Sequence, residues 1–150
     1  MVDEGDLHAE IERRKKSGEG NIPESEIWRA AYDMLRGLTE IHNKRILHRD
    51  IKTANIFKSE GIYKIGDLNI AKICPSMIAC TQTGTPYYAS PEVWNEKPYD
   101  EKSDLWSLGC VIYEMCELSP PFLGANMEKL HYSITRGKYR PISTLYSSSL

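Results

Sequence analysis

"HRDIKTANIF", residues 48–57, sets an acid, a cation and an amide, Asp50, Lys52 and Asn55, between the apolar pairs Ile46-Leu47 and Ile56-Phe57. Apolar anchors on both sides of a short polar stretch describe a loop pinned by burial at its ends, and functional groups concentrate on such loops. An Asp on a rigid loop accepts a proton from an attacking hydroxyl or orients it, general-base work worth roughly 10²–10⁴-fold in rate. Lys52 is a mobile point charge suited to a phosphoryl oxygen. Asn55 offers a hard cation a neutral oxygen, and Asp67 in "IGDLN" (residues 65–69) an anionic one. Mg²⁺ is typically held by one or two carboxylates together with substrate phosphates. A base, a phosphate-directed cation and two metal ligands together specify phosphoryl transfer.

Working outward, the apolar spacing changes period along the chain. Leu7 and Ile11 predict a short helix from Asp6 to about Lys16, closed by the turn-rich "SGEGN". Pro23 is expected to open a second helix, with Glu24 and Glu26 suiting its positive end. Ile27, Ala31, Met34, Leu38 and Ile41 carry that helix to about His42, which is read as a helix-terminal cation rather than a ligand. "RILH", "NIFKS" and "YKIGDL" predict brief strands, with "SEG" (59–61) as a hairpin turn. Residues 71–91 hold no period and predict a long functional loop. Ser103 is the expected N-cap of a helix over 104–117 that is apolar nearly all round, through Leu105, Trp106, Leu108, Val111, Ile112 and Met115. Pro120-Pro121 ends it, and "NMEKLHYSITRG" (126–137) predicts one more amphipathic helix. The closing "PISTLYSSSL" (141–150) is expected to stop without a capping element.

The 150 residues fit one domain with a real core; 41% are hydrophobic and 27% charged, with a net charge of -2 and a pI near 6.1. Nothing in that balance suits nucleic acid, whose phosphates require a strongly basic face. The basic run Arg13–Lys16 is interleaved with Glu10, Glu12 and Glu19 and reads as a solvated helix face. Cys74, Cys80, Cys110 and Cys116 make no CxxC pair, and the last two read as small buried hydrophobes. The acidic start lacks an apolar signal core, and the most apolar stretch, "LWSLGCVIYEM", is too short to cross a bilayer. A reducing, cytoplasmic setting without a membrane partner is the expectation, a nuclear one being the other possibility.

"HRDIKTAN", "GDLN", "GTPYYASPE" (84–92) and "SDLWSLG" (103–109), in this order and with these gaps, resemble the catalytic loop, metal-binding triplet, substrate-accepting segment and central helix of protein kinases. "EGDL", "PPF" and "NMEKL…ITRGKYRPI" add a likeness to the NIMA-related serine/threonine kinases over essentially the whole chain. The resemblance implies an α+β fold: a kinase-like lower lobe, mainly helical with short β-hairpins, running from the hinge to about the second-last helical region. It implies ATP and Mg²⁺ as cofactors and Ser/Thr-bearing proteins as substrates. Asp50 becomes the catalytic base, Lys52 the partner of the transferring phosphate, and Asn55 and Asp67 the Mg²⁺ ligands, with Thr85 completing the serine/threonine pattern. Thr81 and Thr83 become candidate phosphorylation sites, modified by an upstream kinase or through self-association, whose phosphate pairs with Arg49. His48 and Leu68 are read as structural, Asp104 as an acceptor for catalytic-loop backbone N–H groups, and Glu92 as lacking its usual arginine partner. The family likeness also raises a cytoskeletal, centrosomal or ciliary association.

The chain departs from the family in "DLN" for Asp-Phe-Gly and in Ser90 for Ala, both mild; Leu68 keeps an apolar plug and Asn69 tolerates the left-handed region. The larger departure is that the sequence contains no G-x-G-x-x-G and no V-A-I-K-type strand lysine. The N-terminal β-lobe that covers ATP is therefore expected to be absent. A non-catalytic interaction module and a truncated, inactive product are the alternatives to an active enzyme.

Overall fold

The computed structural model describes residues 5–68 and 86–150. Asp6 caps the first helix, α1 (Leu7–Ser17), by accepting a hydrogen bond from Ala9 N, and Gly18 ends it in the left-handed region at φ 69°. The basic run lies on its solvent side: Arg13 and Arg14 pair with Glu10, and Lys15 with Glu12. α2 (Glu24–Asn43) follows, with Pro23 just outside as its N-cap rather than in its first turn. Its buried stripe is Ile27, Ala30, Met34 and Leu38, so Ala30 and not Ala31 faces the core.

After α2 the chain runs through His48 and Asp50 without regular structure; "RILH" forms no strand. Its N–H groups at His48 and Arg49 bond to a side chain, that of Asp104, instead of a neighbouring strand. A single 3₁₀ turn (Thr53–Asn55) then leads into one antiparallel hairpin, β1 (Ile56–Ser59) and β2 (Ile62–Ile65). Ile56 faces Ile65 and Ser59 faces Ile62. Glu60 and Gly61 both have positive φ, the requirement of a two-residue turn that matches strand twist. One hairpin, not several, with an isolated antiparallel bridge between Asp6 and Phe57, is thus the β content of the described residues.

α3 (Pro91–Trp94) is one turn long, and α4 (Glu101–Glu117) is the central helix. Asp100, not Ser103, is the N-cap of α4; Ser103 sits at N3 and bonds back, closing a capping box that lengthens the helix by a turn. Its burial is less uniform than expected, since Leu105 is 45% exposed while Ser103, Asp104, Ser107 and Glu114 are buried. α5 (Met127–Thr135) starts at Asn126, whose side chain accepts from Lys129 N.

One hydrophobic cluster joins α1, α2, β1, β2 and α4 through Leu7, Ile11, Ile27, Met34, Leu38, Ile56 and Met115. A second joins Cys110 to Phe122, Leu130 and Ile134. Cys110 and Cys116 are buried free thiols, as expected. The closing stretch ends without a helix or strand, as expected, but it is anchored: Ser147 N donates to Glu24 Oε2 at 2.8 Å, and Tyr146 OH lies 3.0 Å from Ile22 O. Among the described residues no helix is long and apolar enough to cross a membrane.

Candidate active site

The loop between α2 and β1 is built from beneath. Asp104, fully buried in the first turn of α4, accepts from His48 N at 2.9 Å and Arg49 N at 2.9 Å. The same carboxylate meets His42 Nε2 at 2.8 Å and accepts from Tyr99 OH at 2.5 Å. His42, in the last turn of α2, is thus bound to the α4 carboxylate. Arg49 takes a positive φ of 67°, a strained turn for a non-glycine residue that these bonds maintain. His48, 1% exposed, holds the other side: its Nε2 bonds Gly66 O at 2.9 Å and its Nδ1 accepts from Asp50 N at 3.3 Å.

Asp50, Lys52 and Asn55 come together on this loop. Lys52 Nζ donates to both carboxylate oxygens of Asp50, at 2.9 and 3.1 Å. Asn55 Nδ2 donates to Asp50 O at 2.8 Å and to Asp50 Oδ2 at 3.0 Å. Both bonds of Asn55 use its amide nitrogen, which leaves Oδ1 available to a cation. Asp67 follows Gly66, whose N–H donates to Asn55 O at 2.9 Å, so one hydrogen bond ties its strand end to the same turn. Asp67 is exposed and has a positive φ of 56°. Asn55 and Asp67 thus offer an amide oxygen and an exposed carboxylate beside one turn, a donor set that fits Mg²⁺ shared with substrate phosphates. Among the described residues no cluster of three or more His, Cys, Asp or Glu side chains forms a self-sufficient metal cage.

Leu68 is 44% exposed and does not fill an apolar socket as anticipated. Thr81, Thr83 and Thr85, with Cys74 and Cys80, lie outside the described residues. The guanidinium of Arg49 makes no ion pair among the described residues. Glu92 has a hydroxyl partner in place of the arginine: Ser103 Oγ donates to its Oε1 at 2.5 Å. Burial is the largest influence on the Glu92 carboxyl and would raise it, but the Ser103 bond, its own backbone N–H, the Ser90 hydroxyl and the Lys97 charge together hold it below the ordinary range.

Sequence reasoning passed over a second polar group behind the loop. Tyr88 OH donates to Glu114 Oε2 at 2.5 Å and lies 2.9 Å from Thr53 Oγ1. Tyr99 was missed as well. Hydroxyls within apolar or loop stretches give no signal of their partner until the fold brings it near. A cleft lined by Asp6, Glu10, Arg14, Glu26, Lys58 and Tyr63 lies apart from the Asp50 group. Its charges pair internally, Arg14 with Glu10 and Lys58 with Glu26.

A loop that clusters an acid, a lysine and an asparagine on a buried helix carboxylate, with an Asp one hairpin away, has the charges to meet phosphate and a hard cation. The model of the protein kinase domain family matches residues 1–148, and the chain belongs to that family. Its relatives include serine/threonine-protein kinase Nek3 of Mus musculus, 41% identical over 99% of this chain and 29% of that protein. Probable serine/threonine-protein kinase nek2 of Dictyostelium discoideum is 44% identical over 97% of this chain and 36% of its own. Serine/threonine-protein kinase Nek4 of Mus musculus is 41% identical over 97% of the chain and 18% of the relative. The likeness to NIMA-related kinases read from the motifs therefore stands, and the chain spans about a third or less of these relatives.

Proposed function

We propose that these residues are the lower lobe of a serine/threonine protein kinase that moves the γ-phosphate of ATP to Ser or Thr hydroxyls of proteins. The observation that carries this is the convergence of Lys52 and Asn55 on the Asp50 carboxylate. In this reading Asp50 accepts the proton of the attacking hydroxyl, and Lys52 moves from Asp50 to the transferring phosphate. Asn55 Oδ1 and Asp67 hold Mg²⁺, which when bound neutralises charge on the phosphates. Thr85 supports the acceptor side, and phosphorylation at Thr81 or Thr83, by an upstream kinase or a second copy, gives Arg49 an anionic partner. A cytoplasmic location, with the cytoskeleton, centrosome, cilium or nucleus as sites of action, belongs to the same proposal.

The 150 residues contain no glycine-rich loop and no strand lysine for the α- and β-phosphates. Positioning supplies roughly 7–11 kcal/mol of such a barrier, and much of that surface is not encoded here. These residues alone are therefore expected to transfer no measurable phosphate. The test joins the segment upstream of the matching region of mouse Nek3 to residue 1 and measures transfer from Mg-ATP to casein. Transfer that Asp50→Asn abolishes supports the reading. An inactive chimera with an intact fold, beside an active parent, overturns it in favour of a non-catalytic interaction module.

A further inference from the structure

α4 presents two polar faces to the site, and only one belongs to the resemblance described above. Asp104 supports His48 and Arg49. Ser103, Ser107 and Glu114, spaced four and seven residues apart, share a neighbouring face at 3.6 residues per turn. They hold the segment after residue 85: Ser103 through Glu92, Ser107 Oγ by donating to Tyr88 O at 2.8 Å, and Glu114 by accepting from Tyr88 OH. The Tyr88 ring packs against both hydrophobic clusters, so its phenol is fixed in place.

The direction of the hydrogen bonds follows from proton counting. A tyrosine hydroxyl has one proton, and at 2.5 Å it is given to Glu114 Oε2. Tyr88 oxygen is then an acceptor for Thr53, whose hydroxyl donates at 2.9 Å. Burial, with the Glu114 carboxyl beside it, pushes the Tyr88 phenol well above its ordinary range and keeps it a donor. Thr53 and Glu114 are 1% and 3% exposed, so water does not replace either bond. Thr53 opens the single turn that ends at Asn55, directly after Lys52.

We propose that Thr53 is a positioning residue: the bridge Thr53–Tyr88–Glu114 clamps the turn carrying Lys52 and Asn55 to the substrate-accepting segment and to α4. What the bridge positions rests on the kinase reading, but the bridge itself is measurable without turnover. A displacement of the segment at Tyr88 is transmitted to Lys52 and Asn55 through one hydroxyl, which gives substrate engagement a route to the catalytic loop.

The experiment is native-state amide exchange in the 150-residue chain, read at Asn55 N–H, which donates to Lys52 O at 2.9 Å. Thr53→Val and Tyr88→Phe are each expected to speed its exchange roughly three- to tenfold, the scale of one net hydrogen bond. The double variant should go no faster than either single one, Thr53→Ser should restore the original rate, and Glu114→Gln, which keeps an acceptor, should leave it unchanged. Independent, multiplying effects, or a Thr53→Val rate equal to the unmodified chain, overturn the bridge. Failure of Thr53→Ser to rescue does the same, since it assigns the effect to the lost methyl. In the unmodified chain the Thr53 hydroxyl proton should also be slow enough to show a proton contact with the Tyr88 ring. Its absence from the spectrum overturns the proposal even where a variant does not fold. Casein transfer by the chimera tests the kinase reading separately, so the two fail independently.

Discussion

Asp104 Oδ1 lies 2.9 Å from the backbone nitrogen of Arg49, 55 residues earlier in the chain. The same buried carboxylate also meets His48 N, His42 Nε2 and Tyr99 OH, so four groups from three segments depend on one side chain. Removing it leaves them buried without an acceptor, and each such loss costs about 1–3 kcal/mol. Asp104→Ala is therefore expected to lower stability by about 3 kcal/mol or more, read as a shift in urea midpoint. A drop below about 1 kcal/mol would show that water reaches the loop and that Asp104 does not hold it.

Much of this frame was legible in the sequence because it rests on local patterns. The stripe through Ile27, Met34 and Leu38 gave α2, and "SEG" between two apolar runs gave the hairpin. The roles of His48 and Asp104 as backbone partners followed from the family likeness and are met by the bonds observed. What failed depends on long-range partners. "RILH" has strand-like composition, yet Arg45 N bonds His42 O, Ile46 N bonds Ile41 O and His48 N bonds Asp104, none of them a neighbouring strand. The anchoring of the chain's end gave no sign in the sequence, because Glu24, which accepts from Ser147, lies 123 residues away. Capping misled in a smaller way: Ser103 is a sound N-cap by type, but Asp100 takes the position and Ser103 completes the box.

Gly66 offers a second test, in packing. A Cβ built there would stand 2.6 Å from Phe57 Cε2 and 2.8 Å from its Cδ2, inside any real contact distance. Gly66 cannot retreat freely, since its oxygen bonds His48 Nε2 and its nitrogen bonds Asn55 O. Gly66→Ala is expected to cost about 1–3 kcal/mol, typical of overpacking, and Phe57→Leu in the same chain should recover most of it. Equal urea midpoints for the glycine and alanine proteins would rule out the close approach.

Within the chimera, the Asp50 group makes a graded prediction. Asp50→Asn removes the proposed base and is expected to cut kcat by roughly 10²–10⁴-fold, with little change in the KM for ATP. Lys52→Ala loses the phosphate-directed charge and should lower kcat as well, because an interaction made chiefly in the transition state is gone. A Lys52→Ala enzyme that loses only affinity for ATP, with kcat intact, would place Lys52 in ground-state binding instead.

Two carboxyls make opposite predictions about pH. Burial would raise Glu26, but its bonds from Lys58 Nζ at 2.6 Å and Tyr63 OH at 2.7 Å outweigh that and hold it below 4.5. Glu114 is the reverse: burial outweighs the bond from Tyr88 and raises it above 4.5. For Glu26 the unfolded chain binds the proton more readily, so its contribution is full above about 4.5 and is lost as pH falls through the folded value. For Glu114 the folded chain binds the proton more readily, so stability declines as pH rises from about 4.5 through the folded value. Unfolding free energies of Glu26→Gln and Glu114→Gln, each subtracted from the unmodified chain across pH 3–7, should therefore slope in opposite directions. The Glu26→Gln deficit shrinks toward acid as the unmodified chain loses its ion pair. The Glu114→Gln protein gains on the unmodified chain toward neutrality, because a neutral amide never meets the cost of ionising among buried groups. Parallel slopes would mean that the bond from Tyr88 outweighs burial and holds the Glu114 carboxyl low as well.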